Sequence, residues 1–65
     1  MTKDELIELR HKAEAAADTF GCWAVANTYG KDAAELVEID IGFRRAETAW
    51  LHACAAYQAA LREFV

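Results

Sequence analysis

The sequence predicts an all-α protein, an antiparallel hairpin of two long helices that pairs with a second copy to make a four-helix bundle. Three observations carry that expectation. Leu36, Phe43, Trp50, Tyr57 and Phe64 recur every seven residues, and Ile39, Ala46, Ala53 and Ala60 stand three positions after the first four of them. Large residues alternating with small ones in heptad phase set one long helix closely against another. Fifteen of the 65 residues are alanine and none is proline, a composition that favours helix and supplies little core volume. Between the periodic stretches stands Tyr29-Gly30-Lys31-Asp32, a stop followed by a restart.

Thr2-Lys3-Asp4-Glu5 has the form of a capping box, in which the threonine hydroxyl and the Glu5 carboxylate each accept a hydrogen bond from the other residue's amide. The first helix is predicted from about residue 3 to 29, because Leu6, Leu9, Ala13, Ala16, Phe20, Trp23 and Asn27 keep an alternating 3/4 spacing. It passes through Gly21, which costs roughly 1 kcal/mol relative to alanine and leaves a bend there as an alternative. The turn is predicted at about 30–32. Gly30 suits a left-handed residue, and Asp32 with Glu35 repeats the capping pattern.

The second helix follows at about 33–64 and would be roughly 48 Å long. Val37, Ile39, Ile41 and Phe43 also alternate with Glu38, Asp40 and Gly42 in the manner of a half-buried strand, with residues 20–26 as its partner. The unbroken heptad phase through Phe64 favours the helix.

One domain spanning 1–65 buries only about 60% of its unfolded surface, so disulfides, a metal or a partner subunit must make up the deficit. Cys22 and Cys54 are too few for a disulfide scaffold and lack zinc-site spacing, and no cofactor or metal is expected. In a hairpin they stand some 20 Å or more apart, too far for an intrachain disulfide, and are expected as small packing residues. Leu51, Cys54, Leu61 and Val65 widen the apolar stripe of helix 2 past what one neighbour covers. A homodimer is the expected remedy.

The net charge of −4 argues against general affinity for nucleic acid. No apolar run approaches the roughly 18 residues of a membrane span, and the start MTKDELIELR lacks the pattern of a signal peptide. No membrane association and a cytoplasmic location are therefore expected. Nothing supplies a nucleophile with its base, a phosphate loop or paired carboxylates in a cleft, so the chain is expected not to be an enzyme. His11 and His52 fall at similar heights of the hairpin, but two histidines without a third ligand make no metal site.

Asp4, Glu8, Glu14 and Asp18 share the outer face of helix 1. Toward the hairpin tip that face turns apolar through Cys22, Val25 and Tyr29, with Val37 and Ile41 at a similar height on helix 2. This tip patch, with Cys22, Val25, Tyr29 and Ile41 at its centre, is the candidate partner-binding surface, and the acidic face is a second one. Arg10, Lys12, Arg44 and Arg45 form the basic clusters and are the candidate nucleic-acid contacts.

In its length and its alanine-rich seam at Ala46, Ala53 and Ala60, the chain resembles the small plasmid copy-number regulators of the Rop type, short hairpins that dimerise. That resemblance is one of length and pattern, without a shared residue motif. It implies RNA binding as an alternative function, with no RNA-contacting residue to carry over. The first expectation is a small acidic dimer that binds another protein and inhibits or regulates it, a kind of chain common among the products of phages and mobile elements. A structural assembly component is the third.

Overall fold

The computed structural model describes residues 1–64. Val65, expected to widen the stripe of the second helix, lies outside the described residues. Two helices, α1 (Lys3–Ala24) and α2 (Ala33–Phe64), pack against each other as a hairpin. The molecule is a rod of 49 × 13 × 11 Å, and α2 runs its full length.

α1 begins where the capping pattern places it. Glu5 N donates to Thr2 Oγ1 at 3.2 Å, and Thr2 N donates to Glu5 Oε1 at 3.4 Å. Two of the amides that a helix start leaves without partners are thereby satisfied. The helix continues through Gly21 without interruption. The same chemistry opens α2, with Glu35 N donating to Asp32 Oδ1 at 2.8 Å and Asp32 N to Glu35 Oε1 at 3.4 Å.

α1 ends five residues before the predicted position. Val25 is its C-cap, with φ −103° and ψ 13°, and its amide closes onto the Gly21 carbonyl. Asn27, expected on the packing face, instead uses its side-chain oxygen to accept from Tyr29 N at 3.0 Å. That local turn competes with helix, and the β-branched Val25 and Thr28 weaken the case for continuing. The connection therefore spans residues 25–32 rather than 30–32. Gly30 has φ 77°, so it supplies the left-handed residue, but as a turn residue inside the loop and not as the cap of α1.

Residues 36–43 are helical throughout. The alternation that imitates a strand arises because Val37 and Ile41 point away from the packing face, while Ile39 and Phe43 point toward it. The seam itself follows the heptad. Ala46 and Ala60 are the buried residues, and Ile39, Phe43, Trp50, Ala53 and Tyr57 are half-buried. From α1, Phe20 sits between two rings of α2, 5.0 Å from Phe43 and 5.2 Å from Trp50, the latter pair stacked at 15°. Leu36 and Phe64, at the ends of the heptad, stay exposed. No large side chain is fully buried among the described residues, as expected of two helices that touch along one line.

Candidate functional site

The register follows from two contacts: Phe20 lies between Phe43 and Trp50, and Trp23 lies over Gly42. Since α1 ends at Ala24, the first turns of α2, from Ala33 to Ile41, run on past it beside the loop. Leu36 loses its cover for that reason, whereas Val37 and Ile41 are exposed because they point away from the packing face. Val25 is 81% exposed, Tyr29 91%, Val37 57% and Ile41 43%. The loop end of the rod is thus an apolar surface held in place by a helix.

Beside this end lies an open groove of about 630 Å³, lined by Thr19 and Trp23 of α1 and by Glu38, Ile41, Gly42, Arg45 and Ala46 of α2. Its floor exists because residue 42 has no side chain. A Cβ there would stand 2.5 Å from the Trp23 ring. Trp23, expected in the core, is 37% exposed and forms one wall. Glu38 and Arg45 border the apolar floor, and neither is in an ion pair among the described residues. The Thr19 hydroxyl donates to the Ala15 carbonyl at 3.2 Å, so its hydrogen stays within the helix. Sequence reasoning passed over this groove. Its signal was Gly42, a glycine inside a long helix, which marks a close approach by a neighbour.

Of the predicted tip residues, Val25, Tyr29 and Ile41 share the exposed loop end. Val25 and Tyr29 reach it from the loop rather than from helix 1, because α1 stops short of both. Within the single chain Cys22 is an exposed free thiol, not packed against α2, and Cys54 is a half-buried free thiol. Asp4, Glu8, Glu14 and Asp18 are all exposed on the outer side of α1. Of these four, Glu14 is paired, its Oε1 3.0 Å from Arg10 Nε, and Glu8 borders a small cleft with Met1, Glu5, Leu9 and Lys12.

The basic residues are not gathered on one face. Arg44 is tied to Asp40 at 2.9 Å and Arg10 to Glu14, both as i,i+4 pairs along their own helices. The Arg10 guanidinium is raised above its ordinary value, first by its hydrogen bond to Glu14 and then by the Tyr57 hydroxyl on the neighbouring helix. Arg45 borders the groove, while Lys12 lies beside the small cleft near the chain start. Two of the four cations thus already have carboxylate partners.

A second exposed apolar region follows the flank of α2. Leu51 is 52% exposed and Leu61 37%, and Ile7 of α1 is 40% exposed. Among the described residues no group of His, Cys, Asp and Glu is placed to hold a metal ion, and no helix is long and apolar enough to cross a membrane. No protein-family model, no curated protein and no solved structure matches this chain.

Proposed function

We propose that the chain works as a homodimer of hairpins that binds another protein through its loop end and thereby inhibits or regulates it. The observation that carries this reading is the apolar loop end, where Val25, Tyr29, Val37 and Ile41 are exposed beside the Trp23 groove. A large aromatic with neighbouring aliphatic residues, next to a preformed groove, is the arrangement that supplies most of the binding energy in protein interfaces. Charged groups at the rim, here Glu38 and Arg45, would fix orientation more than affinity. The dimer is supported by the exposure of Leu51, Leu61 and Ile7 along the flank, since a chain of this size has little other means of covering them.

The test compares wild-type protein with Tyr29→Ala and Val25→Asp. Both sites are solvent-exposed loop positions, so both variants should keep their helicity and their mass in light scattering. Against the target recovered with the wild-type protein from its host, each should bind at least tenfold more weakly, about 1.4 kcal/mol. Full-strength binding by both folded variants would rule out the loop end as the site. The measurement should be repeated at two salt concentrations. Apolar docking predicts a weak dependence, whereas a steep loss of affinity with salt would favour the RNA alternative.

A further inference from the structure

The large residues of the α2 heptad stand between two seams. Ile39, Ala46, Ala53 and Ala60 flank them on the side of α1, where Ala46 and Ala60 are buried. One position further on stand Asp40, Glu47, Cys54 and Leu61. With Leu36, Phe43, Trp50 and Tyr57 these make a second row of alternating 4/3 spacing, the pattern of a coiled-coil seam. α1 covers one side of the large residues and leaves the far side of this row open: Asp40, Glu47 and Leu61 are exposed, while Phe43, Trp50, Cys54 and Tyr57 are half-buried.

We infer that this flank is the contact for a second copy of the chain lying antiparallel to it, with Leu36 opposite the partner's Leu61 and Phe43 opposite the partner's Cys54. The inference rests on the homodimer reading and adds to it a face, an orientation and a register. Three observations carry it.

The first is area. The chain exposes 5058 Å², roughly 900 Å² more than the accessible surface expected of a compact protein of its mass. A stable interface of ordinary size covers about 800 Å² on each partner.

The second is charge. The row is split, its first half carrying Asp40 and Glu47 and its second half Cys54 and Leu61. A parallel pair would set each acid against its own copy; Asp40 is partly neutralised by Arg44, but Glu47 is in no ion pair among the described residues and would repel its copy once buried. The antiparallel pair sets Glu47 opposite the partner's Trp50 and Asp40 opposite the partner's Tyr57. Both aromatics carry a hydrogen-bond donor, and neither donates to another described residue within the chain.

The third is shape. The register reads the same from both copies, as a two-fold contact requires, and sets the large Phe43 against the small Cys54. It also covers Leu36, which α1 leaves open by ending at Ala24. Val25, Tyr29, Val37 and Ile41 lie off this row and stay free for a different partner.

The test uses the full chain with Cys22→Ser and Cys54→Ser, into which Leu36→Cys and Leu61→Cys are introduced singly and together. Both leucines are partly exposed, so the fold should tolerate the change. A short bis-maleimide spans the roughly 8–10 Å between packed helices but not the roughly 37 Å separating the two positions along one helix. The double variant should give a covalent dimer and nothing larger, and neither single variant should link. Linking by Leu36→Cys alone would overturn the antiparallel orientation. A ladder of larger species, or a protein dimeric by light scattering that does not link, would overturn the face and register while leaving the dimer intact. A monomer before linking would overturn the dimer reading itself.

Discussion

The six-membered edge of the Trp23 indole rests on α2 at Gly42, so close that a Cβ at residue 42 would stand 2.5 Å from it. Gly21, the other glycine inside a helix, has nothing within 4 Å of the same added atom. The two are helical glycines with opposite reasons to be there. Gly21→Ala should stabilise the protein by about 0.5–1 kcal/mol through helix propensity and reduced freedom of the unfolded chain. Gly42→Ala receives the same benefit but must displace the indole, and overpacking costs about 1–3 kcal/mol. The net effect at Gly42 should be zero to about 2 kcal/mol of destabilisation. Urea unfolding of both variants checks the sign, and the tryptophan emission of Gly42→Ala should move to longer wavelength as Trp23 leaves the groove.

Phe20 of α1 packs its ring against two aromatic rings of α2, Phe43 and Trp50, so its removal should be felt along the hairpin. Phe20→Ala should cost about 3 kcal/mol, the low end for a core aromatic because the site is only half-buried. Near-ultraviolet circular dichroism should lose the signal of the stacked Trp50. Phe20→Leu, which keeps most of the volume, should recover more than half of the loss.

Much of this was legible in the sequence. The heptad from Leu36 to Phe64 foretold α2, and the Thr2/Glu5 and Asp32/Glu35 pairs foretold both helix starts within a residue. Starts are readable because a cap is a local hydrogen bond between residues three apart. The end of α1 was not, because Asn27 fits the 3/4 spacing and the choice between a helical backbone and a side-chain turn is settled by a few tenths of a kcal/mol. That one error moved Tyr29 and Val25 from a helix face into a loop. The apolar tip was still foreseeable from its residue types, whereas the groove depends on a contact between Trp23 and Gly42, nineteen positions apart, of which the sequence shows the helical glycine but not the residue that lies on it.

The α2 cap offers a test of hydrogen bond against charge. Asp32 Oδ1 accepts from Glu35 N at 2.8 Å. Asp32→Ala should cost about 1 kcal/mol, as cap removal usually does. Asp32→Asn keeps the acceptor and loses only the interaction of a full charge with the helix dipole, so it should cost no more than about half as much. Equal losses in thermal unfolding would place the effect in charge rather than in the hydrogen bond.

The seam makes the sharpest demand, because Ala46 is 7% exposed where the backbones of α1 and α2 meet. Leucine and alanine differ little in helix propensity, so a substitution there reads packing almost alone. Ala46→Leu should cost about 1–3 kcal/mol, since three extra heavy atoms must separate the helices or leave their preferred rotamers. Ala53→Leu, at a half-buried seam position, should cost less, and Ala56→Leu, at an exposed one, should stay within about 0.5 kcal/mol of wild type. In a chain of this length each kcal/mol lowers the midpoint of thermal unfolding by about 4–8 °C, so the three variants separate clearly in one series at fixed protein concentration. The expected order of loss is Ala46, Ala53, Ala56. If Ala46→Leu melts with the wild type, the helices are not held at alanine spacing, and the division of the heptad into an inner and an outer seam falls with it.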